Sequence, residues 1–123
     1  MSNLKIKNIK ERMNILGLDS VLIASNENKY YLVGFEDEAR YTDVDAFLFL
    51  TKDKDYLIVE CCDEGRAKVI APQCVVLAVA DREPLGVTLK KIVDETGNIR
   101  SIGYEGLILK HFLYNGKIGR AHV

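Results

Sequence analysis

No stretch of the 123 residues approaches the roughly 20 consecutive apolar residues of a membrane span. The opening segment, MSNLKIKNIKERM, has no uninterrupted apolar signal core. Cytoplasmic residence is therefore the expectation. Charge of one sign is not in excess: 17 Lys and Arg against 18 Asp and Glu leave a net charge of -1. That balance excludes a broad electrostatic footprint for nucleic acid or an anionic membrane, leaving only a local basic patch open. Cysteine is scarce and odd in number, with Cys61 and Cys62 adjacent and Cys74 alone. Read on a strand, the adjacent pair would face opposite sides of the sheet and could not easily bridge, so free, buried and inert thiols are expected. Their spacing is not that of a zinc site.

The usual catalytic patterns are absent as well. No strand leads into a Gly-x-Gly-x-x-Gly or a phosphate-binding Gly-Lys-Ser/Thr segment. The only histidines, His111 and His122, lie near the C-terminus without acidic or histidine partners at ligand spacing. No serine sits in a nucleophile-elbow pattern. Glu36, Asp37, Glu38, Asp43 and Asp45 form the one carboxylate constellation. Hard oxygen ligands so close together suit Mg²⁺ or Ca²⁺, yet the spacing is not that of an EF-hand, and a solvated acidic loop is the simpler reading. The strand cores carry no paired carboxylates of the kind a two-metal nuclease needs.

What the sequence does contain is alternation. Composition is that of an ordinary globular chain, 48% hydrophobic and 28% charged, long enough for one core. Ile6, Ile9, Met13 and Leu16 recur at helical spacing between a cap at Ser2 or Asn3 and a stop at Gly17. SVLIA at 20–24 reads as a strand buried on both faces. Ser25 then caps a short helix that ends at Gly34, with Tyr31 and Leu32 expected to pack on the sheet.

AFLFL and YLIVE flank TKDKD and predict an antiparallel hairpin, with Asp53 and Asp55 in the turn. Asp63 is placed to cap a helix over 64–70 that Pro72 ends, and CVVLAV at 74–79 is a further strand. Pro84 opens a helix that Gly97 closes, SIGYEG supplies a last strand, and 107–114 begins another helical pattern. The fold class is thus α/β: a mixed sheet of about five strands with helices on both faces. Residues 1–115 form the domain, and 116–123 lose the pattern, as a frayed or expression-derived tail does.

RMNILGLDSVLIASNENKYYLVGF, then AFLFLTKDKDYLIVE, then IRSIGYEG resembles the N-terminal domain of the creatinase, prolidase and Xaa-Pro aminopeptidase family over about Leu4 to Tyr114. Asn28, Tyr31, Leu32, Gly34 and Phe35 match positions that the family commonly fills with these residues. The chain departs from the family at ECCDEGRAK, which lacks an Arg-Tyr pair, and at Val33, where Thr is frequent.

The resemblance implies a ribonuclease-H-like accessory domain that makes homo-oligomer contacts and narrows a substrate cleft. Phe35, Tyr31 and Gly34 are then the candidate wall of that cleft. Catalysis would belong to a C-terminal pita-bread domain, in which two Asp, one His and two Glu hold two divalent ions, Mn, Co or Zn, in the peptidases and which creatinases use without metal. None of that machinery is in these residues, so the chain alone is expected not to be catalytic. The rival reading is a small stand-alone ligand- or metal-binding protein built on 36–45, with Tyr41, Asp43 and Asp45 converging on one pocket.

Overall fold

The computed structural model describes residues 4–35, 46–79 and 85–104. The acidic stretch 36–45, Pro84, the helical pattern at 107–114 and the tail lie outside the described residues. Among the described residues four α-helices and five strands follow in order: α1 (Leu4–Leu16), β1 (Ser20–Ile23), α2 (Asn26–Val33), β2 (Phe47–Thr51), β3 (Asp55–Glu60), α3 (Glu64–Ile70), β4 (Val75–Val79), α4 (Leu85–Thr96) and β5 (Ile102–Tyr104). The strands form one mixed sheet in the order β4-β3-β2-β1-β5. β2 is antiparallel to both β1 and β3, whereas β4 joins β3 and β5 joins β1 in parallel. α3 carries the crossover between the parallel strands β3 and β4, whereas β1 and β5 pair in parallel with three strands between them in the chain.

Strand alternation sorts the core into two layers. Val21, Ile23, Leu48, Leu50, Leu57 and Val59 point toward α1, α2 and α3, where they meet Ile9, Met13, Leu32 and Ala67. Phe49 and Ile58 point the other way and meet Ile92 of α4. The α1 periodicity is realised as read, with Ile6, Ile9 and Met13 buried.

Three local expectations are revised. Asp63 makes no side-chain cap to α3, because the chain enters α3 through a short 3₁₀ turn, Cys61–Asp63. Its carboxylate pairs instead with Arg66 at 3.6 Å. That turn also takes Cys61 and Cys62 off the strand, and both thiols are exposed rather than buried. Cys74 is half-buried, and burial, helped by the nearby Asp55 charge, pushes its thiol up to about 12. The hairpin turn is closed by Thr51 and Lys54: the Thr51 N–H and hydroxyl both donate to the Lys54 carbonyl, at 2.9 and 2.7 Å. Asp55 pairs across to Lys10 of α1 at 2.7 Å.

Polar contacts pin β5, the short edge strand. Asp19 accepts from the Arg100 N–H at 2.8 Å, its own N–H donates to the Ser101 hydroxyl at 3.0 Å, and Ser20 donates to the Ser101 carbonyl at 2.9 Å. The Arg100 hydrogen bond, with Lys52 nearby, outweighs desolvation and holds the Asp19 carboxyl below its ordinary value.

Candidate functional site

The stretch that carries the cleft-wall expectation, 25–35, is built as a capped helix. Ser25 is extended, with ψ 140°, and its hydroxyl accepts from the Asn28 N–H at 3.2 Å. At the other end Gly34 takes φ +80° and donates its N–H to the Tyr30 carbonyl at 2.9 Å. Among the described residues a Cβ added there would meet only Ile70 Cγ2, at 3.7 Å, and the left-handed backbone itself favours glycine.

Helical phase then decides which side chains face the sheet. Lys29, Leu32 and Val33, spaced i, i+3 and i+4, are buried, which turns Tyr30 and Tyr31 outward. Leu32 packs on the sheet as expected; Tyr31 does not and is 44% exposed. Phe35, expected to face the cleft, has no exposed surface and belongs to the main core. The two aromatic positions have therefore exchanged burial relative to the sequence reading, because the chain turns inward after the left-handed Gly34.

Each ring is covered by a cation. The Lys5 ammonium lies 4.2 Å from the Tyr31 ring centroid and donates to the Tyr31 carbonyl at 3.2 Å. The Arg66 guanidinium lies 4.3 Å from the Phe35 centroid. Arg66 comes from the segment where the family's Arg-Tyr pair is missing. Its spacing from Asp63, i to i+3 on the first turn of α3, was the available sequence signal. Lys29 was missed outright: it is fully buried, and its ammonium donates to the Ala46 carbonyl at 2.7 Å, tying α2 to the start of β2. The corner is thus a half-exposed Tyr31, a glycine cap and an arginine plate over a buried phenylalanine.

Among the described residues no group of three or more His, Cys, Asp or Glu could hold a metal ion. Asp43 and Asp45, with Tyr41, lie outside the described residues. No described helix is long and apolar enough to cross a membrane. A concavity of about 320 Å³ lies between α4 and the β3–β4 side of the sheet, with Leu77, Val79 and Ile92 as apolar lining and Lys54, Lys91 and Glu95 as charged lining.

The sequence profile described as the creatinase/prolidase N-terminal domain matches residues 5–116. No curated protein matches the chain significantly. Solved structures share its architecture. The creatinase/prolidase N-terminal domain of an X-Pro dipeptidase from Streptococcus pyogenes has a TM-score of 0.70 at 20% identity, over 96% of this chain and 93% of that one. The N-terminal domain of the cytoplasmic peptidase PepQ from Mycobacterium tuberculosis H37Rv has a TM-score of 0.69 at 24% identity, covering 85% and 75%. An Xaa-Pro dipeptidase from Bacillus anthracis has a TM-score of 0.68 at 19% identity; 90% of this chain is covered but only 29% of that one. At these identities the structures establish the fold, and the profile match over nearly the whole length decides the family: this chain belongs to the creatinase/prolidase N-terminal domain family.

Proposed function

We propose that this chain is the non-catalytic N-terminal domain of an Xaa-Pro aminopeptidase or dipeptidase, supplying oligomer contacts and one wall of the substrate cleft. The observation that carries the reading is the profile match over residues 5–116, joined to the small share, 29%, of the Bacillus anthracis dipeptidase that the chain spans. In this reading the catalytic residues and a pair of divalent ions, Mn, Co or Zn, belong to a pita-bread domain of the parent protein, which acts in the cytoplasm.

The wall is formed by Tyr31, Gly34 and Phe35 in unequal roles. Tyr31 offers the accessible ring, a flat apolar surface of the kind that packs on a proline ring or short side chain. Phe35 backs it from the core beneath Arg66, and Gly34 sets the turn between them. Lys5 and Arg66 place positive charge beside both rings.

The rival, a stand-alone metal-binding protein using Asp43 and Asp45, is separated by thermal denaturation with and without Mn²⁺. An ion that binds only the folded chain raises its melting temperature. The accessory-domain reading expects no Mn²⁺-dependent rise. A rise that Asp43→Asn and Asp45→Asn abolish would favour the rival.

A further inference from the structure

β4 is an edge strand, paired with β3 on one side and, among the described residues, with nothing on the other. Proteins commonly protect such edges with charge, proline, a bulge or short length. The other edge, β5, has three described residues and is held by the Asp19 contacts. β4 runs for five residues, Val75–Val79, with no charge or proline within it, and the run free of both extends from Gln73 to Ala80.

Apolar surface flanks this edge on both faces of the sheet. On one face α3 packs beside β4 and leaves Val69 80% and Ile70 38% exposed. On the other, Leu77 and Val79 are only half-buried along the concavity beside α4. Val75, at the start of the strand, is 40% exposed.

We infer that the β4 edge pairs with the same edge of a second copy, antiparallel about a two-fold axis, continuing one sheet through two chains. The argument for a second copy is self-complementarity. A two-fold contact sets a strand against itself, so any charge within it would meet its like, and β4 has none to oppose. Pairing satisfies the backbone donors and acceptors that, among the described residues, β4 leaves without a strand partner, and draws the Val69, Ile70 and Val75 surface toward its counterpart. This rests on the assembly half of the proposed function and gives it a location.

The test is the mass of the 123-residue chain in solution, by light scattering over a concentration series, for the native sequence, Ala78→Ser, Ala78→Lys and Ala78→Glu. The expected result is twice the 13.9 kDa chain mass for the native sequence and Ala78→Ser, and a single-chain mass for Ala78→Lys and Ala78→Glu separately. An equimolar mixture of the Lys and Glu variants should regain the doubled mass, since the like charges that hold each variant apart become opposite charges across the strand pair. Circular dichroism shows whether each variant is folded, and Val75→Lys, at a position already exposed, replaces Ala78→Lys if that variant is not. A native dimer that folded lysine variants leave intact would overturn the β4 contact while leaving assembly standing. A single-chain native mass at every concentration would overturn both, without touching the peptidase relationship.

Discussion

Six side chains on one face of the sheet, Val21, Ile23, Leu48, Leu50, Leu57 and Val59, have no exposed surface. On the opposite face Phe49 and Ile58 are the only buried apolar side chains among the described residues, whereas Leu22, Phe47, Tyr56, Leu77, Val79 and Ile102 are partly exposed. Three helices cover the first face; among the described residues, α4 alone packs on the second. The difference separates two tasks within one small sheet. The closed face supplies most of the burial that stabilises the fold, and the candidate corner of Gly34, Phe35 and Arg66 is anchored in it. The open face leaves apolar surface available for contact.

Core truncation should break the comparison most visibly. Leu50→Ala on the closed face is expected to cost about 2–5 kcal/mol, and Leu77→Ala on the open face about 1 kcal/mol, because transfer and cavity terms scale with what is buried. Urea denaturation reads both, and equal losses would erase the distinction between the faces. Gly34→Ala should cost about 1–2 kcal/mol, since a side chain disfavours the left-handed backbone at φ +80° even where space for a Cβ exists. An unchanged melting temperature would mean that the cap does not form as described.

Asp19→Asn tests the β5 edge at about 1 kcal/mol, the scale of one hydrogen bond. The sign follows from the lowered folded-state value. Asp19 contributes fully above the unfolded carboxylate range near 3.9, and the contribution disappears as pH falls through the folded value. The difference in melting temperature between the native chain and the variant should therefore be constant near neutral pH and shrink in acid. The smallest effect belongs to Glu64→Ala, whose partner Lys68 lies 2.9 Å away but is 60% exposed. A change of at most about 0.5 kcal/mol by urea denaturation is expected there, because water screens such pairs.

Much of the fold was legible because period-2 and helical patterns survive wherever a face is buried. AFLFL and YLIVE have one face in each layer, and Ile6, Ile9 and Met13 mark the inner stripe of α1. The candidate corner was legible only in part. Ser25 and Gly34 announced the ends of α2 through their capping chemistry, but its phase was set by Lys29, whose inward placement sequence reasoning does not anticipate for a charged residue. With Lys29 inside, Tyr31 must turn outward. Phe35 was misread for a related reason: its cover comes from Arg66, 31 residues away, and no local pattern reports that contact.

The central claim is that this chain contributes to a cleft without performing the hydrolysis. The most direct measurement is proline release from Xaa-Pro dipeptides by the purified chain in the presence of Mn²⁺. The account predicts no release above the protein-free blank. Mn²⁺-dependent release that co-purifies with the folded chain, and that Asp43→Asn or Asp45→Asn removes, would contradict it.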